Sequence, residues 1–316
     1  MPDVETLLYK CPRRAHTLGV LQQTLAQQTD QNGFDVKTLS ATLSTDMNQK
    51  TLMLQSHSSI AQNIMASADV VERHILASQA GSHTGAHLQP PPMQEYAADD
   101  NVFSVSVARR LRLPHPAVAH PSQMATHCPN MAASRLVCGT QLDLMLNHCV
   151  TCAKGGGVVQ RHDAVVRCLA KLIQKYKNTQ ARVEQWVPTM QRTTQGGQAR
   201  PDDVFFDNAC PADLAVAIVA LYSADPALMT SAAANAGYMA RRAERNKFSR
   251  YPGHKLIPFV LETTGRLGYH TRQFIQHLAA DHEPQSVVVS EIWACIQGVL
   301  HGCASQQQLA AAQGTG

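Results

Sequence analysis

The sequence has no long hydrophobic run, no secretory leader and no strong net charge. Its longest uncharged apolar stretch, Leu214 to Tyr222, has nine residues, whereas a helix needs roughly 20 to cross a bilayer. The start, MPDVETLLYK, carries acids where a secretory signal would be basic, and no small-residue cleavage site follows an apolar stretch. The net charge of +4 is too mild to indicate nucleic acid on its own. We therefore expect a soluble intracellular chain with no membrane partner, long enough at 316 residues for one large domain or two ordinary ones.

Cysteine and histidine are concentrated in one short region. Of the nine cysteines, four fall between Cys128 and Cys152, next to His127 and His148. Thiols stay reduced inside the cell, so this clustering favours a metal site over disulfide bonds.

The residue pattern divides the chain into four parts. Residues 1–90 read as helical, 91–157 as a linker with the Cys/His element, 158–300 as the main domain, and 301–316 as a flexible tail. Glycines and three prolines predict the linker itself at 81–92. No internal repeat is present.

Helices and strands are predicted to alternate in the C-terminal half. Helices are expected at about 101–112, 158–176, 229–248 and 269–280, and strands at 182–187, 203–206, 213–222 and 256–261. Strands interleaved with helices indicate an α/β fold. We expect a helical N-terminal part followed by a mixed β-sheet flanked by helices.

Two carboxylates lie at the starts of predicted strands. Asp202 begins one strand and Asp213 the next, with a turn at Asn208 to Pro211 between them. A hairpin would bring both to one end of the sheet, where close carboxylates repel unless a cation or a shared proton intervenes. Mg²⁺ prefers such oxygen ligands and can activate water for phosphodiester cleavage. The alternative is that these acids are solvated turn residues, since turns favour Asp.

Six short motifs occur in an order that is similar to one protein family. They are RHD at 161–163, Glu184, RPDD at 200–203, Asp213 opening an apolar strand, KFSRY at 247–251 and PFVLETTGRLG at 258–268. SQAGSHTGAHLQPPP and FSVSVARRLRLP extend the similarity upstream. Over roughly Ser78 to Leu278, the chain resembles the restriction-like endonuclease region, of PD-(D/E)XK type, at the C-terminus of site-specific non-LTR retrotransposon reverse transcriptases.

The resemblance implies metal-dependent nicking of DNA in the nucleus. The element RNA would be a further partner, and no small-molecule substrate is expected. Asp202 and Asp213 would bind Mg²⁺ or Mn²⁺, and Glu184 would be a third acid. Lys247 would be the basic partner, and Tyr251 a supporting residue.

The chain departs from the general fold class at Ala215, two positions after the second acid, where a catalytic lysine is expected. The retrotransposon branch resembles this sequence in moving that lysine to the downstream helix. The alternative function is a catalytically decayed, nucleic-acid-binding remnant of the same fold.

The resemblance also implies a zinc-binding element ahead of the nuclease. Cys138, His148 and Cys152 match three of its four ligands, but Leu136 stands where the first cysteine is expected. Structural zinc needs four nitrogen or sulfur ligands, so Cys128 or Cys149 would have to complete the set. The alternative is that these are ordinary small apolar cysteines.

Basic residues are candidates for contact with nucleic acid. Arg161 and His162 open a predicted helix, whose N-terminus suits phosphate. Between residues 241 and 255 the candidate phosphate contacts are Arg241, Arg242, Arg245 and Arg250. A solvated helix face is the alternative there, and a surface histidine without a role is the alternative for His162. Glu262 either supports the site or belongs to a helix start.

Overall fold

A computed structural model describes residues 58, 60–88, 93–119, 125–179, 181–183, 203–206, 213–219, 225–252 and 256–314. The chain forms two compact units, Met1–Ser67 and Ala68–Gly316, so the division lies well before the expected boundary at residue 90. In the first unit, residues 60–67 are helical.

The second unit is rich in helix. Its α-helices are α1 Val70–Gln79, α2 Asp100–Leu111, α3 Asn147–Thr151, α4 Gly157–Lys177, α5 Pro226–Ala234, α6 Tyr238–Arg250, α7 Tyr269–Ala279 and α8 Gln285–Ala312. The helix expected over 229–248 is therefore two helices. They are separated around Gly237, whose φ of 74° is left-handed and suits glycine.

One small sheet accompanies the helices. Its strands are β1 Ala181–Val183, β2 Asp203–Phe206, β3 Asp213–Val219 and β4 Leu256–Glu262, in the order β1-β2-β3-β4. β1 and β2, and then β2 and β3, pair antiparallel, whereas β3 and β4 pair parallel. The predicted antiparallel pairing of β2 and β3 is present, but Asp203, the first residue of β2, is opposite Ala215 and not opposite Asp213, so the two strands do not begin side by side.

Helices cover both faces of β4. Phe259 and Leu261 belong to the main core, and the alternate residues Val260 and Glu262 face the other way because side chains alternate along a strand. On that second face the backbone N–H of Ala240, in the first turn of α6, donates to Glu262. The crossover from β3 to β4 thus carries α6 back over the sheet.

The main core is built around α4 and α8. Val165, Leu169, Leu172 and Ile173 recur at helical spacing on α4, and all four are fully buried. They pack with residues of α7, α8 and the sheet. Each such side chain contributes about 1.5–3 kcal/mol by leaving water.

The expected tail is part of the fold. Residues 301–312 are the last turns of α8, and Ala304, Ser305 and Gln308 are buried there. The prediction of a flexible segment from residue 301 is therefore wrong over 301–312. The prediction failed because alanine and serine are common both in flexible tails and at close contacts between helices.

The expected linker is ordered over its first part. Residues 86–88 form a short 3₁₀ helix, and Thr84 and Ala86 are buried. Thr84 accepts a hydrogen bond from Arg110 of α2 at 3.0 Å. The glycines of this stretch therefore make tight turns against the core, while residues 89–92 lie outside the described residues.

Among the described residues, α8 is long and apolar enough to cross a membrane by length and composition alone. Half of its most apolar window is buried inside the protein. Central helices of folded domains pass the same test.

Candidate metal centre

A hairpin-like segment, residues 126–142, supplies two of the candidate ligands. Its two sides are joined by hydrogen bonds from the Cys128 N–H to the Thr140 carbonyl at 2.8 Å and from the Cys138 N–H to the Asn130 carbonyl at 2.7 Å. Gly139 follows the second cysteine with φ of 68°, a left-handed conformation that suits glycine. The cross-links place Cys128 and Cys138 on neighbouring segments.

Helix α3 supplies the other two ligands. His148 lies in its first turn, and Cys152 follows its last residue, four positions later. Residues four apart lie on the same face of a helix. The Asp143 carboxylate accepts hydrogen bonds from the N–H groups of Met145 at 2.9 Å and Asn147 at 3.1 Å, which fixes the turn into the helix.

The four ligand atoms converge. The sulfur atoms of Cys128, Cys138 and Cys152 and a ring nitrogen of His148 all lie within 4.8 Å of one another. The Cys128 and Cys152 sulfurs are 3.8 Å apart, and the Cys138 sulfur is 3.2 Å from Nε2 of His148. Zinc bonds of about 2.3 Å to sulfur and about 2.0–2.1 Å to nitrogen give tetrahedral edges of roughly 3.5–3.8 Å. The cluster could therefore hold a metal such as zinc.

The same distances argue against a disulfide bond. Bonded sulfurs would be about 2.05 Å apart, and the three cysteines of the cluster, Cys128, Cys138 and Cys152, are free thiols. The cluster is thus reduced in the form described.

The thiols of the cluster differ in their environments. The pKa of Cys138 is lowered from 9.0 to about 6, first by the hydroxyl and backbone N–H of Thr140 and then by His148. Burial raises the pKa of Cys128 from 9.0 to about 12. Metal binds the thiolate, so a cation at the centre would offset the cost of ionising the buried Cys128.

The structure decides between the two candidates for the fourth ligand. The Cys128 sulfur is one of the four converging ligand atoms and the Cys149 sulfur is not, although both cysteines pack in the same small apolar core. Leu136, at the position where the resemblance expects a cysteine, is 66% exposed. Cys128 is therefore the candidate fourth ligand, whereas the motif spacing alone left Cys128 and Cys149 as alternatives.

The end of α8 forms the floor of this element. The Ala125 N–H donates to the carbonyl of Ala312 at 3.0 Å, and Gln308 donates to the carbonyl of Met145 at 2.8 Å. Ala311 packs in the small apolar core beside Cys149. The candidate metal centre is therefore attached to the main domain through its last helix.

The predicted nuclease residues are described only in part. Asp202 and Glu184 lie outside the described residues. Asp213 is the first residue of β3, opposite Leu256 in the parallel pair with β4, and only its backbone is described. Lys247 is 9% exposed, and Tyr251, after the end of α6, is 2% exposed.

Two buried carboxylates hold the helix that carries Lys247. Glu262 accepts hydrogen bonds from the Ser78 hydroxyl and from the Ala240 N–H at 3.1 Å, so it caps the first turn of α6. Glu244 of α6 accepts from the His270 N–H at 3.0 Å, at the start of α7. Glu262 thus supports the position of α6 and does not begin a helix. Glu244 was missed in sequence because it reads as the lone acid of a solvated basic run.

The basic candidates separate into exposed and buried residues. Arg241, Arg242 and Arg245 are exposed on α6, and the Arg250 guanidinium lies 5.7 Å from the ring centre of Tyr251. His162 is half-buried and lies 3.2 Å from the Asp163 carboxylate. Arg241, Arg242 and Arg245 thus lie on the exposed part of α6.

Arg161 does not lie on a surface. It is 2% exposed and donates a hydrogen bond to Gln307 of α8 at 2.8 Å, and burial lowers its pKa to about 10. The prediction that Arg161 contacts nucleic acid is therefore wrong, because its side chain points into the packing between α4 and α8.

Comparisons of the chain with protein-family models, with curated proteins and with solved structures find no match.

Proposed function

We propose that this chain is a metal-dependent DNA endonuclease of the restriction-like type, a domain or fragment of a retrotransposon reverse transcriptase polyprotein that acts in the nucleus. In this proposal a zinc ion at the Cys3His centre holds the element that precedes the nuclease. The products are nicked DNA ends, and the element RNA is a further partner.

The observation that carries the proposal is the Cys3His cluster. The resemblance implied zinc ligands at Cys138, His148 and Cys152, and their ligand atoms lie within 4.8 Å of one another together with Cys128. A chance set of cysteines has no reason to bring three sulfur atoms and an imidazole nitrogen within 4.8 Å of one another, as a four-coordinate zinc site requires. The cluster therefore supports the family resemblance on which the nuclease assignment rests.

The sheet gives further support. β3, which Asp213 opens, pairs parallel with β4, and α6 crosses back between them. Lys247 lies in the last turns of α6, close to the start of β4 at Leu256, which is opposite Asp213. The topology therefore favours a basic residue and an acid at one end of the sheet.

In the proposed mechanism the bound Mg²⁺ or Mn²⁺ supplies charge neutralisation and an activated water for phosphodiester hydrolysis. Asp202 and Asp213 would hold the ion, with Glu184 as a third acid. Lys247 would stabilise charge developing on the phosphate. Arg241, Arg242 and Arg245 would contact the DNA backbone without reading its sequence.

The second candidate is a non-catalytic DNA-binding remnant of the same fold. Ala215 in place of the expected lysine favours it, and so does the basic exposed face of α6, which needs no catalysis to bind a phosphate backbone. Both candidates predict salt-dependent DNA binding, and only the first predicts cleavage.

A nicking assay on supercoiled plasmid with Mg²⁺ or Mn²⁺ tests the proposal. The wild type should convert supercoiled to open-circular DNA, and Asp213→Asn should reduce this to background. Asp281→Asn is the matched control, since it removes an exposed carboxylate paired with Lys177 on the surface. DNA binding without metal-dependent nicking by the wild type would select the remnant.

A further inference from the structure

A small pocket, whose lining surface is more apolar than polar, lies where five segments of the second unit meet. Its walls come from α1, the end of α2, α3, the turn after β4, and α8. Its cavity volume is about 40 Å³. Three arginines line it, and no carboxylate is among the described residues that do so.

The arginines lie on one turn at the end of α2. Arg112 forms an ion pair with Glu72 through two hydrogen bonds, with nitrogen to oxygen distances of 2.8 and 2.7 Å. Arg110 donates to the carbonyl of Gln79 at 2.7 Å and to the Thr84 hydroxyl at 3.0 Å. These two acceptors are neutral, so they orient the Arg110 guanidinium without balancing its charge.

The positive charges of Arg109 and Arg110 affect the pKa values of two buried histidines. Burial lowers the pKa of Arg110. Burial also lowers the pKa values of His87 and His301, and the nearby Arg109 and Arg110 lower them further. His301 forms part of the pocket wall, so the cationic turn faces a neutral imidazole. A half-buried guanidinium in such surroundings is stabilised by an anion that reaches it.

Threonines line another part of the pocket, namely Thr151 of α3 and Thr263 and Thr264 after β4. The Thr151 hydroxyl donates to the His148 carbonyl at 3.3 Å, and the Thr264 hydroxyl bonds the Ser78 hydroxyl. An oxyanion in the pocket would therefore be held mainly by the guanidinium groups. The planar guanidinium matches phosphate with two parallel donors, which a single ammonium group cannot do.

We propose that this arginine pocket, defined by Arg109, Arg110, Arg112, Thr151 and Thr264, binds a phosphate group. The group belongs either to a nucleic-acid backbone or to a free phosphate ion or ester. Because α3 forms one wall, the candidate metal centre and the pocket share a helix: His148 faces the cluster, and Thr151 lines the pocket. The proposal does not depend on DNA nicking.

Thermal unfolding of the full chain with inorganic phosphate gives the first test. Phosphate should raise the Tm of the wild type above that in chloride of equal ionic strength. The pocket variant Arg109→Gln/Arg110→Gln should lose this difference. The control variant Arg73→Gln/Arg272→Gln, which removes two exposed arginines outside the pocket, should keep it.

Oligonucleotide binding as a function of salt distinguishes the two sources. If the phosphate is that of nucleic acid, the pocket variant neutralises one phosphate fewer, so the slope of log K against log salt should become less negative by about 0.7 for a single strand or about 0.9 for a duplex. An unchanged slope with a lost Tm effect identifies free phosphate as the ligand. Equal behaviour of the pocket and control variants in both measurements would overturn the proposal.

Hydrogen exchange on the wild type keeps the test decisive if the pocket variant does not fold. Phosphate, compared with chloride, should protect amides at 145–151 and 263–264. Protection confined to other segments, or none at all, would overturn the proposal as well.

Discussion

Replacing Cys152 by serine should remove one of four ligands and weaken zinc binding strongly. Structural zinc binds small domains with an apparent free energy of about 10–16 kcal/mol, so each of four ligands accounts for about 2.5–4 kcal/mol. This corresponds to a loss of about two to three powers of ten in zinc affinity. Cys152 is 4% exposed, so the serine hydroxyl would also lie in a site closed to water.

Elemental analysis and competition with a chelator of known affinity would measure the effect. The wild type should hold one zinc per chain after purification without chelator, and Cys152→Ser should lose it to the competitor at much lower concentration. The matched control is Cys149→Ser. Cys149 is equally buried and lies next to His148 in sequence, but its sulfur is outside the cluster.

Two results would refute the reasoning. One is a Cys152→Ser variant that keeps wild-type zinc content and affinity. The other is a Cys149→Ser variant that loses zinc to the same extent, because the fourth ligand would then be Cys149 and not Cys128.

Three further predictions concern the fold. Glu262→Ala should lower the free energy of unfolding by about 2–5 kcal/mol, because the Ser78 hydroxyl and the Ala240 N–H lose their acceptor. The control Glu95→Ala, which removes an exposed ion pair with Lys171, should change it little. Equal effects of the two variants in denaturant titrations would contradict this. His87 and His301, whose rings stack at 3.8 Å, have lowered pKa values, that of His87 falling from 6.5 to about 3. The folded chain therefore binds fewer protons than the unfolded chain below pH 6.5. Stability should decline between about pH 6.5 and 3 by up to about 1.4 kcal/mol per pH unit for each histidine, and His87→Gln should flatten this slope; an unaltered slope would count against buried neutral rings. Leu172→Ala, at a fully buried position of α4, should cost about 2–5 kcal/mol, and a Tm within error of the wild type would show that α4 is not part of the core.

Local sequence signals predicted the elements whose pattern is self-contained. The apolar face of α4 from Val165 to Ile173 has helical period, and β2 and β3 begin at the predicted residues, Asp203 and Asp213. In each case neighbouring residues alone determine the element. Cys138, His148 and Cys152 were candidate ligands because they match the zinc-binding element of the family that the chain resembles.

Features that depend on distant contacts could not be predicted in this way. Arg161 reads as a surface cation until α8 supplies Gln307 as its partner. The end of α8 reads as a low-complexity tail because alanine and glutamine occur both in solvent and in packed helices. Only the segments that pack against α8 show that these residues are buried. The choice of Cys128 over Cys149 depends on hydrogen bonds across the hairpin-like segment, which neither residue type nor spacing encodes.

The floor that α8 provides beneath the Cys3His element sets an order of events during synthesis. All four candidate ligands have been translated once Cys152 is made, but the partners of Ala125 and Met145, Ala312 and Gln308, are about 160 residues later. On the ribosome the ligand-bearing segment lacks these partners until residues 308–312 have emerged. Capture of a metal ion before that point would hold the segment together by its ligands alone, and docking onto the body of the protein would come last.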